Sequence, residues 1–197
     1  MNPLLALYHR LLDQHGHQGW WPLKGNYHPK DYSFPHNDLE KFEIGIGAIL
    51  TQNTTWKNVE KSLLALGSCL SPSKILDLSD AQLQDKIHSS GYYIQKTKKL
   101  KNWANFFIKI NHCTPTREEL LSIWGVGPET ADSILLYAYQ IPIFVVDTYT
   151  KRLLIKENLI SSNANYAQVQ AYCESQLPRQ YELFQEFHAL IVENNKS

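Results

Sequence analysis

Two glycines separated by one residue, Gly125 and Gly127, lie between two apolar segments and could place a bound phosphate. Glycine has no Cβ, so a turn at these positions can bring the backbone close to a ligand. Pro128 suits the first turn of a following helix, whose N-terminus carries unpaired N–H groups and a partial positive charge. The pattern therefore predicts a phosphate contact. Taken alone, it is also typical of an ordinary corner between two helices.

An acidic residue, Asp147, follows on the far side of the helix predicted after this turn. The turn and Asp147 together indicate a DNA backbone held by the hairpin, with a carboxylate presented beside it. From the residues alone, an Asp directly before Thr148 is also typical of a helix N-cap. Both interpretations of Asp147 stay open at this point.

The elements that must position these groups are predicted to be helical, and the fold class is all-α. Residues 1–16 show an amphipathic helix, residues 16–37 form a loop, and only residues 144–146 have β character. Apolar residues after the glycine turn recur at the spacing of one helical face, and prolines fall at helix boundaries. Further helices are predicted at 38–51, 56–67, 72–77, 80–88, 94–110, 117–124, 129–139, 147–157, 164–176 and 179–194.

Composition predicts a folded protein whose charge is unevenly distributed. The chain has 197 residues, 43% of them hydrophobic and 19% charged, and a net charge of +0, which argues against disorder. Residues 91–120 nevertheless carry six basic and two acidic side chains. We predict a DNA-facing patch there, formed by the run Lys96, Lys98, Lys99 and Lys101, with salt-sensitive binding. The alternative is a solvated helix face.

The cysteines and histidines give no metal site. Cys69, Cys113 and Cys173 are far apart and odd in number, which predicts reduced thiols. His15 and His17 form a pair without a third ligand nearby. These residues therefore predict no metal at the catalytic site. No apolar stretch approaches the length of a membrane span, so we expect a cytoplasmic protein without a membrane partner.

Three blocks in order carry a family resemblance. Residues 120–147 resemble the helix-hairpin-helix with a Gly/Pro-rich loop and Asp of the endonuclease III superfamily of DNA glycosylases. Residues 42–55 and 91–100 are similar to two further blocks of that family. The resemblance implies a helical barrel over 37–146, with the helix-hairpin-helix at about 120–139. It also implies a second helical domain from 1–36 plus 147–197, and a DNA- and base-binding cleft between the two.

The resemblance also implies an activity. Asp147 would be the catalytic residue that stabilises the sugar cation and activates water when the N-glycosidic bond of a flipped base is hydrolysed. Strand-cleaving members carry a lysine where this chain has Glu129, and a carboxylate cannot form a Schiff base. We therefore expect base excision repair without abasic-site lyase activity. The alternative for Glu129 is a plain first-turn helix residue. The family's four clustered cysteines near the C-terminus are absent, so no iron–sulfur cluster is expected.

The substrate and the contact residues follow from the same resemblance. The sequence looks like the iron–sulfur-free 3-methyladenine glycosylase branch, so we predict a monomer that acts on double-stranded DNA containing an alkylated purine. Another lesion, or a non-catalytic helix-hairpin-helix module, is the alternative. An ion at the hairpin carbonyls is left open.

Predicted base-pocket residues are Trp20, Trp21, Pro22, Phe42 and Glu129, with Tyr27, Tyr92 and Tyr93 less specific. Predicted DNA contacts are Gln52 (as the residue that fills the gap of the extruded base), Asn53, Gly125, Val126, Gly127, Thr130 and Lys96. The alternatives are local backbone bonding for Gln52 and a cap over the core for the tryptophans.

Overall fold

The structure, a computed structural model, describes residues 2–195, and within that range it is helical without a strand. This confirms the predicted all-α class. Residues 144–146 are extended and buried in the connection between two helices rather than part of a sheet. The helices are α1 (Pro3–His15), α2 (Asp38–Leu50), α3 (Trp56–Leu66), α4 (Pro72–Asp77), α5 (Asp80–Ile87), α6 (Tyr93–Ile110), α7 (Arg117–Leu121), α8 (Pro128–Ala138), α9 (Thr148–Lys156), α10 (Tyr166–Gln176) and α11 (Tyr181–Asn194), with 3-10 turns at Gly67–Cys69 and His88–Ser90.

Side-chain caps fix several helix starts. Asn37 accepts a hydrogen bond from the Glu40 amide at the start of α2. Reciprocal caps between the N-cap side chain and the third helical residue begin α5, α7 and α10. Each cap contributes about 1 kcal/mol, because it satisfies amide groups that the helix itself leaves unpaired.

Helix α2 lies at the centre of the core and packs against α6 and α8. Its residues 42–50 are all buried, and two glycines let tryptophans approach the helix closely. A Cβ on Gly45 would come within 2.3 Å of Trp103, and one on Gly47 within 3.0 Å of Trp21. The Gly-Ile-Gly sequence of α2 therefore positions Trp21, which belongs to the candidate site.

The two ends of the chain meet. Helix α1 packs on α11 and α10, and α11 also contacts α8 and α9. Phe144, in the connection before α9, packs edge-on against Phe184 and Phe187 of α11. Division of the chain into a 37–146 domain and a domain of the two ends stays a prediction. Among the described helices, none is both long and apolar enough to cross a membrane.

Candidate active site and DNA interface

Helices α7 and α8 form the predicted hairpin, and a buried ion pair joins them. Arg117 on α7 donates from Nε and Nη2 to both oxygens of Asp132 on α8, at 2.6 and 3.0 Å. Asp132 is fully buried and also accepts from Tyr166 and Gln170 of α10. Because this one carboxylate is bonded by side chains of both α7 and α10, it joins the hairpin to α10.

The turn of the hairpin presents an open helix N-terminus. Gly125 has φ +90°, a conformation that other residues rarely adopt. Gly127 caps α8 without a side-chain hydrogen bond from any described residue, and a Cβ placed there would meet nothing within 4 Å. The amides of the first turn thus face free space that a phosphate can enter. Val126 and Thr130 have buried side chains, so only their backbone can face DNA.

The Gln52 amide is fully engaged with the hairpin. Its Nε2 donates to the Gly125 carbonyl at 3.1 Å and to Thr130 Oγ1 at 2.8 Å. Its Oε1 accepts from Lys99 Nζ at 2.5 Å. The predicted role of Gln52 in filling the gap of an extruded base stays a prediction, and it would require these three bonds to be exchanged for a bond to the orphaned base. Asn53, next in the chain, is exposed with φ +55°.

The placement of Lys96 corrects the prediction that it contacts DNA. Only 1% of its surface is exposed, and Nζ donates to the carbonyls of Leu50 and Ser90 at 2.8 and 2.7 Å. Burial, and then the charge of Lys99, lower the pKa of Lys96 to about 8. Its position on α6 turns it inward, because side chains three or four residues apart share a helical face and Leu100 beside it is also buried.

The neighbouring basic residue, Lys98, is exposed instead. Its Nζ lies 4.3 Å from the centre of the Trp124 ring, and half of Trp124 is exposed to solvent. A cavity of about 420 Å³ opens beside Trp124, and its lining includes Gln52, Asn53, Lys96 and Lys99. The basic and aromatic groups near the hairpin that are at least partly exposed to solvent are therefore Lys98, Lys99 and Trp124, whereas Lys96 lines the cavity with its ammonium group bonded to backbone carbonyls.

Asp147 uses its two oxygens differently. It is the N-cap of α9, and Oδ1 accepts from the Thr150 amide at 2.6 Å. Its Oδ2 lies 3.7 Å from Nε2 of His188, and both side chains are only 12–13% exposed. Burial acts to raise the pKa of Asp147, but the nearby His188 ring and the bonds to Thr150 outweigh it, so the pKa falls below its usual value. The N-cap alternative is observed, and it leaves Oδ2 free for chemistry.

Glu129 stands close enough to Asp147 for their charges to interact. Partial desolvation of the Glu129 carboxyl by the surrounding protein, and then the charge of Asp147, raise the pKa of Glu129. The charge of His188 acts in the opposite direction. The environment therefore pushes the pKa values of the two carboxyl groups apart. Separation of this kind is characteristic of sites in which one group works ionised.

Aromatic rings cluster behind these carboxylates. The Trp20 ring lies 4.6 Å from that of Trp56, and Trp21 packs edge-on against Trp56 and Tyr137 at 5.2 and 5.1 Å. Pro22 is buried beside them, and Trp21 is 7% exposed. A cavity of about 10 Å³ is enclosed between Trp21 and Tyr137, which is room for one water molecule. Trp20, half-buried, forms the outer wall of this aromatic cluster.

Phe42 does not belong to the aromatic cluster, and the prediction that it lines the base pocket is corrected. It is 0% exposed and packs on Trp103 and Phe107 of α6, with ring centres 6.2 and 5.3 Å apart. Its position at the start of the second turn of α2 points it toward α6. Gly47, more than one turn later, is the residue of α2 that contacts Trp21.

The loop that carries the tryptophans is held by a buried carboxylate on α11. Glu186 accepts from the Gln18 amide at 2.7 Å and from the Tyr32 hydroxyl at 2.6 Å, and His17 lies 3.3 Å from its second oxygen. A buried carboxylate with several donors is well stabilised. This anchor on α11 fixes both ends of the loop around Trp20.

Three residues of the site were missed from the sequence: Trp56, Tyr137 and His188. Tyr137 and His188 are separated by 51 residues in sequence, and their bond follows from the packing of α11 on α8. One signal was available for His188, since it lies with Gln185 and Glu186 among the apolar residues from Phe184 to Ile191. A polar side chain in a buried stretch requires a partner.

An open helical hairpin is thus followed by a mostly buried carboxylate, and comparison with known proteins gives the family. The model of the HhH-GPD superfamily of base excision DNA repair proteins matches residues 46–179. The chain therefore belongs to the HhH-GPD superfamily, and it is a DNA glycosylase of that superfamily.

Three similar proteins illustrate the relationship. A candidate DNA repair glycosylase of Methanocaldococcus jannaschii is 41% identical over 98% of this chain and 87% of its own length. The crystal structure of the H. pylori 3-methyladenine DNA glycosylase bound to 1,N6-ethenoadenine has a TM-score of 0.78 and 27% identity, covering 100% of this chain and 98% of that one. A non-covalent endonuclease III–DNA complex has a TM-score of 0.75 at 21% identity, covering 95% and 82% of the two chains, and shows the shared fold.

Proposed function

We propose that this protein is a monofunctional glycosylase that hydrolyses the N-glycosidic bond of a flipped alkylated purine, such as 3-methyladenine, in double-stranded DNA. The observation that carries the proposal is the state of Asp147. Its carboxylate is mostly buried, is held ionised by His188 and Thr150, and keeps one oxygen free of the helix cap.

An ionised carboxylate suits this reaction because bond cleavage leaves positive charge on the sugar. A fixed negative charge in a site of low dielectric stabilises that charge more strongly than water does. The same oxygen can orient or deprotonate the attacking water. Asp147 is the catalytic residue in this proposal.

The aromatic cluster supports an alkylated purine as the substrate. A base such as 3-methyladenine carries a positive charge, so the π faces of tryptophan attract it, and it already leaves readily without a strong acid. Trp20 offers the outer face of the cluster, whereas Trp21 and Pro22 support it from behind. The H. pylori structure, a 3-methyladenine glycosylase with a bound ethenoadenine, adds to this support.

The absence of lyase activity is proposed from position 129. A glutamate stands where strand-cleaving relatives use lysine, and it cannot form an imine with the sugar. The next basic side chains along the chain are Lys151 and Arg152, beyond Asp147, and Lys151 Nζ is bonded to the Ala164 carbonyl at 3.2 Å.

We also propose a monomer without an iron–sulfur cluster. Cys69, Cys113 and Cys173 are free thiols, and they differ widely in burial.

A panel of duplexes tests the proposal. Each duplex carries one lesion, either an N-methylated purine, 8-oxoguanine, uracil or a mismatch, and base release and strand cleavage are measured separately. We expect release of the methylated purine, intact strands until alkali is added, and no covalent adduct after borohydride. Release of only a non-alkylated base would show that the proposed substrate is wrong. Trapping of an adduct would overturn the monofunctional proposal, and binding without any release would favour a DNA-binding module.

A further inference from the structure

His188 lies between the catalytic carboxylate and a buried tyrosine. Its Nε2 is 3.7 Å from Asp147 Oδ2, and its Nδ1 is 2.8 Å from the Tyr137 hydroxyl. The Tyr137 hydroxyl also lies 3.2 Å from the Gln185 carbonyl. The three side chains come from α8, the N-cap of α9 and α11, so they form a line across the junction of three helices.

The Tyr137 hydroxyl allows two arrangements that place a proton on His188 Nε2. In a neutral ring, the tyrosine donates to Nδ1 and the ring proton lies on Nε2. In a charged ring, both nitrogens carry protons, and the tyrosine donates to Gln185 while it accepts from Nδ1. A third arrangement, a neutral ring with its proton on Nδ1, would turn the lone pair of Nε2 toward Asp147, and the negative charge of that carboxylate disfavours it. Burial, and then the charges of Glu186 and Asp147, raise the pKa of Tyr137 well above its usual value, so the hydroxyl keeps its proton. An N–H faces Asp147 in the two favoured arrangements.

We propose that His188 is the positioning residue of this glycosylase: its Nε2–H, fixed by Tyr137, orients Oδ2 of Asp147 toward the sugar. The proposal rests on the proposed function of Asp147. The separation of 3.7 Å is longer than a hydrogen bond, and contacts of this kind often shorten when substrate binds. His188 touches no substrate atom in this proposal and acts only through Asp147.

Titratable and polar groups surround the pair of Asp147 and His188, and they come from α8, α9 and α11. Glu129 and Tyr137 face it from α8, and Glu186 lies beside it on α11. Thr150 on α9 contributes an amide. His188 is therefore the cation or donor that offsets the burial of Asp147 and the nearby negative charges. Its removal should raise the pKa of Asp147, because burial remains while the stabilising partner is lost.

Two substitutions of His188 separate positioning from packing. His188→Leu removes both ring nitrogens and keeps an apolar side chain in the core, whereas His188→Gln keeps an amide donor near the place of Nε2. Tyr137→Phe, which removes one oxygen, is the third variant. Single-turnover excision, DNA affinity and thermal stability are measured for each variant over a range of pH. The Asp147 carboxyl is titrated by ¹³C NMR and assigned by its loss in Asp147→Asn.

We expect His188→Leu to slow excision by about 10- to 100-fold, which is the worth of one hydrogen bond to a charged group, with unchanged DNA affinity. The acidic limb of its pH profile should move to higher pH together with the carboxyl titration. His188→Gln should recover most of the rate, and Tyr137→Phe should fall between the two.

A wild-type rate and an unshifted carboxyl titration in folded His188→Leu would overturn the positioning role. A fall in rate that follows loss of stability alone, without a shift in either pH measurement, would also overturn it. If wild-type protein releases no base, the proposed function fails, and the carboxyl titration still decides whether His188 controls Asp147.

Discussion

The two carboxyl groups near the hairpin differ in what their surroundings do to them. Asp147 has His188 and Thr150 as partners, which lower its pKa, whereas crowding and the Asp147 charge raise the pKa of Glu129. Asp147 loses its charge only as the pH falls through a pKa lower than usual, so it is ionised throughout the neutral range. Its contribution to folding stability is therefore present at neutral pH and is lost at acidic pH.

A lysine at position 129 tests the geometry of the carboxylate pair. Because Glu129 lies within the electrostatic range of Asp147, an amine at this position would also face the sugar of a flipped nucleotide. We expect Glu129→Lys to give a borohydride-trapped DNA adduct that wild-type protein lacks. Glu129→Gln is the matched control, since it removes the charge without adding an amine. If folded Glu129→Lys, still able to bind DNA, gives no adduct, position 129 does not face the sugar.

Single residues show where prediction from the sequence stops. Asp147 and the glycine turn were predicted as site residues from the family resemblance, because from the residues alone both also suited ordinary helix ends. Phe42 and Lys96 were misplaced because the sequence does not tell which side of a buried helix a residue faces. The bond between Tyr137 and His188 depends on the packing of two distant helices, which no local pattern encodes.

Hydrogen bonds within the hairpin join its two helices to each other, and among the described residues none of them occupies the N-terminus of α8 at its tip. Arg117 and Asp132 join the two helices, Gln52 occupies the Gly125 carbonyl, and the first turn of α8 stays free beyond Gly127. The helix predicted at 117–124 ends earlier, at Leu121, because residues 122–126 form turns that lead into the glycines. The exposed Trp124 belongs to this turn.

Substitution of Gly127 tests whether a DNA phosphate binds at the tip of the hairpin. Asp and Asn are both good N-caps and improve on glycine by a few tenths of a kcal/mol, and the space around Gly127 is open to either side chain. We expect both variants to be as stable as wild type or slightly more stable. Gly127→Asp should bind DNA at least about tenfold more weakly than Gly127→Asn, because its carboxylate repels the phosphate. Equal DNA affinity of the two variants would place the phosphate elsewhere.

Two lysines of α6 give a second matched pair. Lys98→Met should weaken DNA binding and reduce the slope of log affinity against log salt by about one, since one phosphate contact is lost. Lys96→Met should leave that slope unchanged and lower the free energy of unfolding by about 1–3 kcal/mol, because the carbonyls of Leu50 and Ser90 lose their donor. A salt slope altered by Lys96→Met alone would restore its predicted DNA contact.

The whole molecule brings together groups from both ends and the middle of the chain. Helix α11 carries His188 to the catalytic carboxylate and Glu186 to the loop of the tryptophans. Apart from the helix that ends early at Leu121, the helix ends were predicted to within two residues, since apolar periodicity, prolines and caps mark them locally. The arrangement of the site follows instead from the packing of α11 on α8 and α1.

The central claim is that Asp147 cleaves the bond to an alkylated purine. Release of 3-methyladenine from methylated duplex DNA, compared between wild type and Asp147→Asn, tests it most directly. Asparagine keeps the oxygen that caps α9 but removes the negative charge, so the variant should fold and bind DNA. We predict release by wild type and its loss in Asp147→Asn at similar DNA affinity. Near wild-type release by the variant would contradict the claim.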